Sequence, residues 1–108
     1  MPSHRHPIIS NFLDYILNIR RYSINTLRSY AYDLDDYTAF CNHFDSTQDF
    51  IELKQTAIQA YLQNISRQGL NAKTLARRLA SIKSLYKYML KNKLVRVNIT
   101  QGIKTPKI

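Results

Sequence analysis

The chain has 108 residues, 44% of them hydrophobic, which suits one small domain with a core of its own. Sixteen Lys and Arg against seven Asp and Glu give a formal net charge of +9, which favours nucleic acid or an anionic surface as the partner. A single cysteine excludes an internal disulfide, and neither an 18-residue apolar run nor a signal-peptide pattern occurs, so we predict a cytoplasmic protein that makes no membrane contact.

The N-terminal half of the chain predicts two amphipathic helices. Residues 1–7 are predicted to be a flexible terminus, and apolar residues at helical spacing predict a first helix, α1, over 8–20. Ser23 precedes a second periodic run and is its predicted N-cap, because the hydroxyl can accept a hydrogen bond from a free backbone N–H. That run predicts a long helix, α2, over about 24–43.

The outward face of α2 changes from polar to acidic along the helix. Its first turns present polar and basic candidates for DNA contact: Asn25, Thr26, Arg28 and Ser29. Three carboxylates follow, at Asp33, Asp35 and Asp36. Because side chains at these spacings point in different directions on a helix, we interpret them as a solvated face or as ion pairs to a later helix, and not as a Mg²⁺ site.

The middle of the chain predicts a loop followed by a third helix. Residues 44–54 are predicted to form the loop, with one turn of helix around Phe50. Helix α3 follows over about 55–67, with its own apolar stripe. Gly69 then lies where a left-handed helix end is expected.

The last predicted helix, α4, carries the strongest functional signal. Asn71 is its predicted N-cap, and it extends over about 72–92 with one apolar face. Residues 71–108 hold ten Lys and Arg and no acid, so α4 lacks the internal ion pairs that solvated helix faces normally carry. The other face and its borders present these candidates for DNA contact: Lys73, Thr74, Arg77, Arg78, Ser81, Lys83 and Ser84. Such a face suits the DNA major groove, where Lys and Arg contact phosphate or guanine.

The predicted helical domain covers residues 8–97. Residues 98–108 are interpreted as the start of a linker, with a short turn at 100–103. Lys104 and Lys107 in this segment complete the predicted DNA-binding residues.

No catalytic residue, metal site, cofactor or small-molecule substrate is predicted. His4 and His6 resemble a weak metal site, but histidines at a chain end are more often solvated. His43 has no nearby partner that would complete a ligand set. Cys41 falls on the apolar face of α2, so we interpret it as a buried side chain and not as a nucleophile. The tyrosines mostly lie on apolar stripes and are interpreted as core residues, so this chain is predicted not to be an enzyme by itself.

Three segments, in order, resemble one known family. Residues 69–89 resemble the last long helix of the core-binding domain in Xer-type tyrosine recombinases, which belong to the phage integrase family. The Ser-x-x-Thr-Leu-x-x-Tyr-x-x-Asp-Leu pattern of residues 23–34 resembles that domain's second helix. Residues 98–107 resemble the segment that ends in Pro-Lys before the catalytic domain, although Ile99 stands where the family usually has proline.

The resemblance implies an all-α, four-helix, SAM-like orthogonal bundle that forms half of a C-shaped clamp around a DNA half-site. It implies that α2 and α4 approach the major groove, and that α1 can contact other recombinase subunits in a synaptic tetramer. The family's catalytic Arg, Lys, His and Tyr lie in a C-terminal domain, so the resemblance assigns that role to no tyrosine here. Site-specific recombination that resolves chromosome or plasmid dimers is the first functional hypothesis.

Three alternatives stay open at this stage. A phage or mobile-element integrase uses the same module. A basic helical protein-interaction module would carry the charge without DNA affinity, and salt-dependent binding to duplex DNA separates it from a DNA-binding domain. A free-standing helix-turn-helix regulator would need a short recognition helix after a tight turn, whereas α4 is long and follows a looser link at 68–71.

Overall fold

The computed structural model describes residues 5–106, and this part of the chain contains helices and no strand. The four α-helices are α1 Pro7–Asn18, α2 Ile24–Phe44, α3 Gln55–Arg67 and α4 Ala72–Lys91, with a short 3-10 helix at Phe50–Glu52. The all-α, four-helix prediction is therefore confirmed, and every helix end lies within two residues of its predicted position.

Local capping interactions explain where the helices begin and end. The Ser23 hydroxyl accepts a hydrogen bond from the N–H of Thr26 at 3.2 Å, and the Asn71 side chain accepts one from the N–H of Thr74 at 2.8 Å. Gly69, beyond the end of α3, has a φ of +85°, a conformation that disfavours residues with a Cβ atom. All three predicted boundary residues are confirmed.

Helix α1 starts before its predicted position, at Pro7. Proline is tolerated at the first helical position because its missing N–H has no partner to lose there. The preceding residue, His6, caps the helix, since its Nδ1 accepts a hydrogen bond from the N–H of Ile8 at 3.1 Å. Its Nε2 lies 2.9 Å from the Asp49 carboxylate, which ties the helix start to the loop before the 3-10 helix.

The described part of the predicted flexible terminus is held against the bundle. Arg5 donates three hydrogen bonds to the Asp35 carboxylate on α2, at 2.8, 3.0 and 3.3 Å. Arg5 and His6 thus each contact a carboxylate of the bundle, and the flexibility predicted for residues 1–7 stays a prediction. Residues 1–4, including His4, lie outside the described part of the chain.

The helices share one buried core. Tyrosines contribute much of it, because Tyr37, Tyr61 and Tyr86 are almost fully buried. The hydroxyls of Tyr37 and Tyr86 lie 2.9 Å apart, so one donates a hydrogen bond to the other inside the core. Cys41 is also buried, and burial raises the pKa of its thiol to about 11, which keeps it protonated and unreactive at neutral pH. The interpretation of Cys41 as a core residue is confirmed.

The chain beyond α4 packs on the bundle for longer than predicted. Thr100 and Ile103 are both buried, and the N–H of Ile103 donates to the carbonyl of Thr100 at 3.1 Å in the predicted turn. The Gln55 side chain of α3 donates to two backbone carbonyls of this segment, each at 3.1 Å. The packed body therefore extends to residue 103, beyond the boundary predicted at 97.

Helix α4 ends in a turn that usually contains glycine. The N–H of Leu94 donates to the carbonyl of Met89 at 2.8 Å, and the N–H of Lys93 donates to that of Leu90 at 3.1 Å. These two bonds define a Schellman motif, whose left-handed position is most often glycine. Lys93 occupies that position with a φ of +59°.

Replacing Lys93 by glycine is expected to raise the free energy of unfolding by about 0.5–1 kcal/mol, because the left-handed conformation crowds a Cβ atom against the backbone. Urea denaturation followed by circular dichroism measures the change. The matched control is Lys87→Gly, at an exposed helical position four residues before the end of α4, which should lower stability by about 1 kcal/mol. Equal destabilisation by both changes would contradict this explanation of the turn.

Candidate nucleic-acid interface

Ion pairs join α2 to α4 where the two helices pack. Arg77 Nη2 lies 2.8 Å from Asp33 Oδ1, and Arg78 Nη1 lies 2.7 Å from Asp36 Oδ2. The Asp33 carboxylate is fully buried and also accepts a hydrogen bond from the Ser81 hydroxyl at 3.0 Å. The interpretation of this acidic stretch as ion pairs to a later helix is confirmed for Asp33 and Asp36. The pairing of Asp33 offsets the cost of burying its charge.

Two tyrosines, Tyr61 and Tyr32, contact the Arg78 guanidinium from opposite sides. The Tyr61 hydroxyl donates to Asp36 at 2.8 Å and accepts a hydrogen bond from Arg78 at 3.1 Å. On its other side, the Arg78 guanidinium carbon lies 5.3 Å from the centre of the Tyr32 ring, within cation–π range. Arg78 thus links α2, α3 and α4.

The ion-pair network involves three candidate residues of α4. Ser81 is 0% exposed, so its predicted place on the outer face of α4 is wrong, and Arg78, predicted at the border of that face, is only 7% exposed. The cause is the packing of α2, which covers a strip of α4 that helical periodicity assigns to solvent. Arg77 keeps 49% of its side chain exposed, but its guanidinium is held by the buried Asp33.

The outward face of α4 is a stripe of lysines. We define the lysine stripe as the exposed side chains of Lys73, Lys83, Lys87 and Lys91. None of the four forms a salt bridge with any residue of the described chain. Ala76 and Ala80 are exposed between them and leave room for a flat or concave partner to approach the helix.

Sequence reasoning found only half of the lysine stripe. Lys73 and Lys83 were among the predicted DNA-binding residues, whereas Lys87 and Lys91 were not. The signal was available in the spacing, because positions 83, 87 and 91 follow one another every four residues and share a helix face.

The other predicted candidates remain at or near the surface. Asn25 and Arg28 on α2 and Lys104 in the C-terminal segment are exposed. Partly buried candidates are Thr26, Ser29, Thr74 and Ser84. Thr26 contributes to the start of α2, because its hydroxyl accepts a hydrogen bond from Ser23 at 3.0 Å. Lys107 lies outside the described residues.

The described range contains neither a metal-ligand cluster nor a membrane-spanning helix. Residues 5–106 hold no group of three or more His, Cys, Asp or Glu side chains that could ligate a metal ion. In that range, none of the helices combines the length and apolar character that crossing a membrane requires.

Comparison with known proteins gives matches that cover most of the chain. Residues 9–93 match the family described as phage integrase, N-terminal SAM-like domain. A tyrosine recombinase of Pseudothermotoga lettingae is 33% identical over 106 residues, which cover 94% of this chain and 35% of the relative. Tyrosine recombinase XerD of Chlorobaculum tepidum is 30% identical over 111 residues, covering 100% of this chain and 36% of that protein.

A third relative is also a tyrosine recombinase and matches with similar identity. Tyrosine recombinase XerC of Lacticaseibacillus casei is 30% identical over 90 residues, covering 83% of this chain and 30% of the relative. No solved structure matches the chain. The chain spans about a third of the length of the curated relatives it matches.

Proposed function

Because the chain belongs to the phage integrase N-terminal SAM-like domain family, found in the N-terminal region of tyrosine recombinases, we propose that it binds duplex DNA. The observation that carries the proposal is the lysine stripe, whose four ammonium groups have no salt-bridge partner within residues 5–106. Lysines that neutralise phosphates release condensed counterions, and this release provides most of the sequence-independent affinity for DNA.

The geometry of α4 supports contact along a DNA groove. A helix of 20 residues is about 30 Å long, which matches roughly one turn of duplex DNA. Exposed alanines at positions 76 and 80 let the helix backbone come close to the base edges, while the lysines on either side contact phosphates. Asn25 and Arg28 on α2 are the proposed second contact, and Arg28 has the chemistry to read guanine.

The ion-pair network has a supporting role in this proposal. It holds α2 against α4 through Asp33 and Asp36, so the two outward faces keep a constant separation. Arg77, Arg78 and Ser81 are therefore positioning residues for the interface. A rigid pair of helices loses little conformational entropy on binding, which favours affinity.

We further propose that the parent protein is a tyrosine recombinase that acts on chromosome or plasmid dimers in the cytoplasm. The names of the relatives, tyrosine recombinases XerC and XerD, support the recombinase part of this proposal, while dimer resolution follows from the family resemblance. In this proposal the present domain contributes DNA binding and, within a synaptic tetramer, contact between subunits, while strand cleavage is performed elsewhere in the protein. The family description equally supports a phage or mobile-element integrase as the parent. Recombination assays on a dimer-resolution site and on a phage attachment site distinguish the two.

The double change Lys73→Ala with Lys83→Ala is expected to weaken binding to a duplex of about 20 base pairs. The salt slope should fall by about two units, and at 50 mM salt the affinity should fall by about tenfold or more, because two phosphate contacts are lost. Fluorescence anisotropy over a range of salt concentrations measures both quantities.

The control keeps the total charge of the variant and moves the change to another surface. Gln59→Glu with Gln63→Glu also lowers the net charge by two, because it adds two carboxylates, but it does so on the exposed side of α3. We expect it to alter the affinity much less than the α4 change. Equal effects of the two variants would show a general charge effect, and no salt-dependent binding by the unchanged chain would favour a protein-interaction module instead.

A further inference from the structure

A groove of about 300 Å³ lies between the end of α1 and the last turns of α4. Three cationic side chains line it, Arg20 beside α1 and Lys87 and Lys91 on α4, and no Asp or Glu is among its lining residues. The rings of Tyr15 and Tyr88 form part of the wall, with centres 5.1 Å apart. This groove thus concentrates positive charge beside an aromatic surface.

The turn after α1 directs two neighbouring side chains into this groove. Arg21 has a φ of +56°, a left-handed conformation that residues with a Cβ atom adopt at a cost in free energy. The N–H of Tyr22 donates to the carbonyl of Ile16 at 2.9 Å and closes the turn. As a result Arg20 and Tyr22 both line the groove, and the Arg20 guanidinium carbon lies 5.6 Å from the centre of the Tyr22 ring.

The charges in the groove repel one another in the absence of a ligand. Lys87 and Lys91 are one helical turn apart, an arrangement of like charges that destabilises a helix. Arg20 adds a third positive charge to the same concavity. None of the three forms a salt bridge within the described residues, so an anion bound among them would remove the repulsion.

We propose that this groove binds a phosphate group of the DNA backbone. Arg20, Lys87 and Lys91 are its cationic ligands, and the Ser84 side chain, which also lines the groove, is a hydrogen-bond donor. Lys87 and Lys91 belong to both the groove and the lysine stripe, so a DNA strand that follows α4 reaches the groove without leaving the helix. This inference rests on the proposed DNA binding and extends the interface from α4 to the end of α1.

The test uses an arginine that lies outside the lysine stripe. We expect Arg20→Ala to weaken duplex binding several-fold at 50 mM salt and to lower the salt slope by about one unit, since one phosphate contact is lost. The control, Arg67→Ala, removes the same charge from an exposed position at the end of α3 and should behave like the unchanged chain. Circular dichroism verifies that both variants keep their helices.

The outcomes separate this inference from the proposed function. If Arg20→Ala behaves like Arg67→Ala while Lys73→Ala with Lys83→Ala weakens binding, the groove does not bind the backbone, and the function of α4 stands. Absence of salt-dependent binding by the unchanged chain overturns both.

Titration with inorganic phosphate, followed by NMR, distinguishes a backbone phosphate from a free anion. We expect free phosphate to shift the Ser84 amide only at millimolar concentration, and we expect Arg20→Ala to abolish that shift. Binding of free phosphate at micromolar concentration that duplex DNA does not displace would overturn the assignment to the DNA backbone.

Discussion

Replacing Arg77 by alanine is expected to lower the free energy of unfolding by about 2–3 kcal/mol, although half of the side chain is exposed. Its guanidinium is the main partner of the Asp33 carboxylate, with two hydrogen bonds at 2.8 and 3.2 Å. Removing one member of a buried ion pair generally costs about 3–5 kcal/mol, because the charge that remains is not compensated. Water can reach the Arg77 side of this pair, so we expect a smaller loss than for a fully buried pair.

A second variant tests whether the uncompensated charge is the cause. In Arg77→Ala with Asp33→Asn, the buried carboxylate becomes a neutral amide that can still interact with Ser81. We therefore expect the double variant to be more stable than Arg77→Ala alone, a coupling that urea denaturation of Arg77→Ala, Asp33→Asn and the double variant measures. Additive losses would show that Arg77 stabilises the bundle by packing only.

The control for general charge effects is again Arg67→Ala, which should change the stability by less than about 0.5 kcal/mol. Equal stabilities of the two arginine variants would contradict the structural role of Arg77. The expected loss of stability in Arg77→Ala has a consequence for DNA-binding studies. A loss of affinity in Arg77→Ala cannot be assigned to a lost DNA contact until the stability of the variant is known.

The second large effect is expected in the core. Leu79 lies on the buried face of α4 and is 5% exposed. We expect Leu79→Ala to cost about 2–5 kcal/mol, because the change loses buried apolar surface and leaves a cavity that the surrounding helices fill only in part. For a domain of this size, whose total stability is small, such a loss removes a large fraction of the folded population at 37 °C.

Leu90→Ala is the matched control for the core variant. It makes the same substitution near the end of the same helix, at a position that is 40% exposed. We expect it to cost less than about 1 kcal/mol. Thermal denaturation of both variants gives the comparison, and similar losses would show that burial does not determine the cost. Both changes leave the lysine stripe intact, so the DNA affinity measured below the melting transition should be unchanged in both variants.

The parts of the fold that could be predicted from sequence are those that depend on neighbours along the chain. The caps at Ser23 and Asn71, the left-handed turn at Gly69 and the 3-10 helix that begins at Phe50 each involve contacts within a few residues. The same holds for the apolar faces of the helices, because a period near 3.6 residues indicates which side is buried. The family resemblance, which rests on the order of such segments, is confirmed for the same reason.

What the sequence determined by itself is the set of helices, their apolar faces and the excess of positive charge on α4. Only the tertiary structure decided which of those charges are available to a partner. Arg78 and Ser81 are buried because α2 crosses α4 beside them and brings Asp33 and Asp36 to the same point. Periodicity describes one helix and contains no information about the width of the strip that a neighbouring helix covers. The groove between α1 and α4 likewise depends on residues about 70 positions apart in the chain, so no local pattern could have joined Arg20 to Lys91.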